Sequence, residues 1–170
     1  ATSAGTAIAD IARSGLIAEY RFDDGSGQVL TDYVGGYNGQ LGSGSGADAN
    51  DPTWTARGLN FSGGGQYVDL TTLPNLSAWT IQIVMNAQNP IALTASVAPI
   101  SRDKNFQINW SHPSASFKGA VSFADGSSTY YSASFGTLVN NTWYCLTGSY
   151  ASQLLKAYKN RSFANQTATT

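Results

Sequence analysis

Ionisable chemistry is scarce in this chain. Of its 170 residues only 11% are charged, and there is one histidine, one cysteine and one methionine. A single cysteine, Cys145, excludes an intrachain disulfide; in a strand-like run beside Trp143 it reads as a small buried apolar residue. A Cys–His nucleophile would depend on His112, which precedes Pro113 in a loop-like stretch, and nothing pairs it with Cys145. Glycoside hydrolysis needs two facing carboxylates, about 5–5.5 Å apart for retention or about 6.5–9.5 Å for inversion. Glu19 is the one glutamate, no strand-like run carries acids at i and i+2, and Glu19 beside Arg21 reads as a surface charge pair. A Gly-x-Ser-x-Gly elbow is missing, and Gly63-Gly64-Gly65 leads into a strand, so it reads as a turn and not a phosphate loop. The net charge of −1 gives no electrostatic footprint for nucleic acid or an anionic membrane. No apolar run approaches the roughly 18 residues of a membrane-spanning helix.

What is present points to an all-β domain. Apolar residues make up 42% of the chain, aromatics 12%, and there are 18 glycines; a disordered chain would lack this apolar content. Apolar and polar residues alternate in short runs separated by Gly, Asn, Asp, Ser or Pro. One face of residues 16–22 carries Leu16, Ala18, Tyr20 and Phe22, and the other carries Glu19 and Arg21. Trp79, Ile81, Ile83 and Met85 share a face, as do Phe117, Gly119, Val121 and Phe123, and Tyr144, Leu146, Gly148 and Tyr150. Further strands are predicted over residues 58–61, 66–70, 98–102, 105–110, 129–135 and 154–159. About ten short strands argue a β-sandwich of two antiparallel sheets. Leu16, Tyr20, Phe22, Phe61, Ile81, Ile83, Val121, Phe123 and Leu146 are the predicted core. Helical spacing is confined to residues 4–14, and residues 42–51 read as a long flexible surface loop.

Several phrases recur in a recognisable order. They are Gly-Leu-Ile-Ala-Glu-Tyr-Arg-Phe-Asp-Asp-Gly-Ser-Gly over residues 15–27, Thr-Asp-Tyr-Val-Gly-Gly-Tyr-Asn-Gly over 31–39, and Leu-Asn-Phe-Ser-Gly over 59–63 leading to Tyr67-Val68-Asp69-Leu70. Trp79-Thr80-Ile81-Gln82-Ile83, Asn141-Thr142-Trp143-Tyr144, and Leu-Lys-Ala-Tyr-Lys-Asn over 155–160 follow. In this order they resemble the laminin-G-like, concanavalin A-like lectin family. The resemblance implies a jelly-roll sandwich over residues 15–170, preceded by a leader or tether over residues 1–14. It also implies structural calcium at a loop edge, because Asp32 and Asn38 match the family's Asp-x-x-Gly-x-x-Asn-Gly motif. The loop beginning at Asp23 and Asp24 offers the same oxygen chemistry. The competing role for Asp32 and Asn38 is to cap their own turns. Asp103 is a weaker metal candidate.

Trp54, Trp110, Tyr130 and Tyr131 are the aromatics least required by a core face, which makes them candidate carbohydrate platforms; the alternative for each is packing beneath a loop. The family continues past its Tyr-x-Asn strand, here Tyr158-Lys159-Asn160, with a strand returning beside residues 16–22. Residues 162–170 carry no strand pattern, so the domain is expected to lack its closing strand, and another polypeptide, a continuation of the chain or a neighbour in a particle, is expected to complete that edge. The expected function is a non-catalytic binding or attachment module. It would be a structural or adhesive part of a virus or phage particle, or alternatively a secreted or cell-surface carbohydrate-binding domain. Its partners would be a glycan or cell-surface ligand and neighbouring chains of an assembly, without nucleic acid or membrane insertion.

Overall fold

The computed structural model describes residues 14–63, 65–70, 73–87, 97–102, 106–111, 118–124 and 130–169, with backbone alone for residues 87, 97, 110, 111, 118, 119, 122–124 and 130. Residues 4–13 of the helical expectation, Asp103, His112 and the side chain of Phe123 therefore lie outside the described residues. Among the described residues the chain is all-β and its sheets are antiparallel. Where the sequence predicts one domain from residue 15, the chain divides into two compact units, Ala1–Pro74 and Asn75–Thr170.

The first unit is built from very short strands. They are β1 (Val29–Leu30), β2 (Gly39–Leu41), β3 (Thr53–Thr55), β4 (Gly58–Asn60) and β5 (Val68–Asp69). β1, β2 and β5 form one sheet, and β3 and β4 a hairpin. Leu30 and Leu41 are fully buried. Gly39 is buried against Val68 and Leu70, where a Cβ would come within 2.7 Å of both side chains.

Residues 16–22 do not form the predicted strand. Their one ladder contact is an isolated bridge from Tyr20 to Asp32. Phe22 adopts φ 60°, which ends extended backbone for a non-glycine residue. The predicted facing also fails at Glu19, which is 8% exposed while Ile17 is 36% exposed. Leu16, Tyr20 and Phe22 are partly buried and Phe61 is exposed, so the predicted core holds better in the second unit.

That unit contains β6 (Trp79–Ala87), β7 (Val97–Arg102), β8 (Phe106–Ser111), β9 (Lys118–Ala124), β10 (Tyr130–Thr137), β11 (Thr142–Ala151), β12 (Leu154–Lys159) and β13 (Ser162–Ala168). Two four-stranded sheets result, in the orders β10-β9-β8-β7 and β13-β12-β11-β6. β11 lies at the centre of its sheet, with Leu146 opposite Ile83 on β6 and Lys159 on β12. One buried cluster draws Trp79, Tyr144, Leu146, Leu155 and Ala157 from this sheet and Phe106, Ile108, Val121, Ala133 and Phe135 from the other. The period-2 reading is realised here, because alternate residues meet the opposing sheet and exclude water. Ile81 and Ile83 pack against the cluster at its margin.

The tail differs from its expectation. Residues 162–168 form β13, paired along β12. Asn160 and Arg161, between β12 and β13, have φ 51° and 70°, and Ser152 and Gln153, between β11 and β12, have φ 50° and 59°. Positive φ at both loop residues is the signature of a type I′ hairpin turn. Asn160 is suited to it, and its side-chain oxygen also accepts the Cys145 amide at 3.0 Å. β13 escapes a pattern search because an edge strand with most residues in water needs no apolar alternation.

The two sheets pack tightly at Gly148, where a Cβ would meet Val121 Cγ2 at 2.3 Å. Gly148→Ala is therefore expected to cost about 1–3 kcal/mol by overpacking. Val121→Ala removes the obstructing methyls, so the double variant should lose less than the sum of the singles in chemical denaturation. Strict additivity would contradict this packing.

Candidate functional site

Asp32 and Asn38 form a heavily bonded polar cluster in the first unit. The Asp32 carboxylate is buried and accepts four backbone N–H groups. Glu19 N and Val34 N donate to Oδ1 at 2.8 and 3.0 Å, and Gly35 N and Tyr37 N to Oδ2 at 3.0 and 2.9 Å. Asn38 Oδ1 accepts Asp32 N at 2.9 Å. Burial pushes the Asp32 carboxyl up, but the four amides together outweigh it and hold the group below the usual carboxylate range. Burial and the Asp32 charge push the Tyr20 phenol up to about 12, so it remains a donor, reaching Tyr37 O at 2.5 Å.

A carboxylate has about four lone-pair positions, and here four amides use them. The implied calcium at Asp32 and Asn38 does not fit this arrangement, since a cation would have to displace backbone donors that nothing else would satisfy. Of the two roles weighed from sequence, turn capping is the one the geometry realises. Asp23, the third candidate ligand, accepts the Tyr33 hydroxyl at 3.1 Å, and the Arg21 guanidinium lies 4.2 Å over the Tyr33 ring. Among the described residues no three His, Cys, Asp or Glu side chains converge as metal ligands would.

Of the four candidate sugar-binding aromatics, Trp54 belongs to the first unit and Trp110, Tyr130 and Tyr131 to the second. Trp54 is half-buried in the first unit, where its indole N–H donates to Gly27 O at 2.9 Å. Tyr131 packs against the core of the second unit. Trp110 and Tyr130 lie on β8 and β10, with side chains outside the described atoms.

A different aromatic surface occurs on the outer face of the β13-β12-β11-β6 sheet. Register places Gln82, Val84 and Asn86 of β6, Trp143, Cys145, Thr147 and Ser149 of β11, Lys156 and Tyr158 of β12, and Phe163 and Gln166 of β13 opposite the core-facing set. Trp143 is 43% exposed and Phe163 59%. The Tyr158 and Phe163 rings meet edge to face at 5.8 Å. Gln82 Nε2 donates to Thr147 Oγ1 at 3.0 Å. Cys145 on this face is partly buried, and burial pushes its thiol up, away from the depressed range of a reactive thiolate. Sequence reading missed the surface because Trp143 sits in a run read for its core face. The signal was parity: Tyr144 and Leu146 inward put Trp143 outward.

In three comparisons, with family models, curated proteins and solved structures, nothing matches this chain.

Asp32 also sets a pH dependence. A folded-state carboxyl held below its unfolded value of about 3.9 stabilises the protein above that pH. The contribution falls away as pH drops through about 4 toward the lower folded value. Asp32→Asn keeps the shape but turns an acceptor into a donor facing two amides, so it should cost at least about 1.5–3 kcal/mol at pH 7 and flatten this part of the stability–pH curve. An Asn variant with unchanged stability at both pH 7 and pH 4 would contradict the capping role.

Proposed function

We propose that this chain is a non-catalytic binding and attachment module with a jelly-roll, lectin-like sandwich, and that it makes contact through the outer face of the β13-β12-β11-β6 sheet. The exposure of Trp143 and Phe163 among amides and hydroxyls carries this reading. Exposed aromatic rings supply apolar faces, and Gln82, Thr147 and Gln166 supply donors and acceptors. That combination suits a neutral polyhydroxylated ligand such as a glycan or cell-surface polysaccharide. Lys156 adds one charge to that face, so long-range steering contributes little. A binding role also agrees with how the acids and thiol are engaged. Glu19 accepts Arg21 at 3.4 Å, Asp32 holds amides, and burial keeps Cys145 protonated.

A second observation favours assembly in a virus or phage particle over a secreted or cell-surface lectin. β13 is the edge of its sheet, and its residues Ser-Phe-Ala-Asn-Gln-Thr-Ala include no charge and no proline. Edge strands are commonly protected by such residues. The device present here is the bulge between Ala157 and Tyr158 in the pairing with β12. We take the edge offered to a neighbouring chain to be the part of β13 before Thr167, whose hydroxyl donates to Ser132 O of β10 at 2.7 Å, in place of residues 16–22.

Both readings are tested on the purified chain. Retention on insoluble neutral polysaccharides is expected, with the Trp143→Ala, Phe163→Ala double variant losing about tenfold or more, equivalent to about 1.4 kcal/mol, at an unchanged melting temperature. Equal retention by the double variant would overturn the sheet-face reading. For the particle reading, sizing at micromolar concentration should show an oligomer that Gln166→Lys dissociates; a monomer at every concentration contradicts it.

A further inference from the structure

Asn38 and Gly39 answer two separate structural demands, and together they make a reactive pair. Asn38 supplies the oxygen, Oδ1, that accepts Asp32 N at 2.9 Å. Position 39 takes a glycine because a Cβ there would lie 2.6 Å from Val68 Cγ1 and 2.7 Å from Leu70 Cδ2. Of all the asparagines in the chain, this is the one followed by glycine. The peptide nitrogen of a glycine is the least hindered nucleophile that a preceding asparagine side chain meets, and every other asparagine here precedes a residue with a side chain.

The surrounding ladder decides when the two react. Leu41 N donates to Gln28 O at 2.8 Å, and bonded pairs alternate along an antiparallel ladder. The Leu30–Gly39 pair, two residues along in the same register, is therefore also a bonded one, with the Gly39 N–H given to Leu30 O. While that bond is closed the nitrogen is occupied. The strands that close it are only two and three residues long, and ladders this short belong to the low-stability end of local opening. Asn38 itself is exposed, so water reaches its amide group.

We propose that Asn38–Gly39 is a self-modification site, at which the folded chain deamidates through local opening of β2. Gly39 N loses its proton and attacks Asn38 Cγ. A bond from that nitrogen to Cγ forms, the Cγ–Nδ2 bond breaks, and Nδ2 takes up a proton and leaves as ammonia, giving a cyclic succinimide. Water then opens the ring at either carbonyl. Addition at Cγ restores the ordinary backbone with Asp at this position, and addition at the main-chain carbonyl leaves the chain running through Cβ and Cγ as isoaspartate. The two products differ in consequence. The ordinary acid keeps an oxygen for Asp32 N. Isoaspartate lengthens the backbone by a carbon atom directly before Gly39, which has no slack against Val68 and Leu70, and it moves the acceptor away from Asp32 N. It therefore unseats β2 from its sheet. The site is independent of the sheet-face reading.

The test incubates the full chain in heavy-oxygen water, in mildly alkaline and in mildly acidic buffer, and follows the label by peptide mapping with mass spectrometry. Label is expected at Asn38 ahead of every other asparagine. Uptake should be faster in alkaline buffer, because Gly39 N must lose a proton, and slower in the folded chain than in denaturant, because the ladder must open first. Both products should appear. After chromatographic separation, the isoaspartate fraction should melt several degrees below the unmodified chain, and the Asn38→Asp variant close to it. Should Asn38→Asp fail to fold, the two product fractions made from the folded chain are compared in its place. A folded chain that takes up no label at Asn38 while the denatured chain converts, label spread evenly over the asparagines, or an isoaspartate fraction that melts with the unmodified chain would overturn the site.

Discussion

The first unit depends on one carboxylate. Strands of two or three residues provide few ladder hydrogen bonds, and an isolated pair of such strands is marginal in water. Asp32 compensates by gathering the amides of Glu19, Val34, Gly35 and Tyr37, which joins residues 16–22 to the turn that leads into β2. Asn38 fixes the backbone of Asp32 itself. Hydrogen bonds to a charged acceptor are stronger than neutral ones, so a single ionised side chain does what a longer ladder does elsewhere. The same engagement decides its chemistry, because a carboxylate with four amides has no lone pair left for a metal.

The second unit rests on the opposite principle. Its strands run to ten residues, and its stability comes from two apolar faces closed around Ile108, Val121, Phe135, Leu146 and Leu155. Gly148 permits Val121 of the opposing sheet to pack against the β11 backbone. Once the inward parity of β11 is set by Tyr144, Leu146 and Gly148, the outward parity of Trp143 follows with no further freedom. A core requirement thereby places an indole on the surface, among side chains able to hydrogen-bond a neutral ligand. Proposed binding at that face needs no cavity and no catalytic group, consistent with a chain of low charge.

Legibility in the sequence followed burial. Residues 79–85, 143–150 and 154–159 announced themselves as strands because each buries every second side chain against another sheet. The assignment failed for residues 16–22, where the same alternation exists but Asp32 and not a neighbouring strand organises the backbone, and where Phe22 turns at positive φ. β1, β2 and β3 are too short for a period to emerge. β13 is polar and exposed, and its presence was encoded in the Asn160-Arg161 turn and not in the strand. Asp32 and Asn38 were singled out as calcium ligands, with turn capping as the competing role, because residue types alone do not distinguish a cation ligand from a cap.

The central claim is that the Asp32 carboxylate is a structural cap whose acceptor positions are taken by backbone amides. An amide-resolved NMR titration of the full chain with calcium chloride tests it directly, because each relevant backbone N–H reports on its own acceptor. The amides of Glu19, Val34, Gly35 and Tyr37, held by Asp32, should stay in place at every calcium concentration. Shifts of those four amides that saturate with calcium would contradict the account.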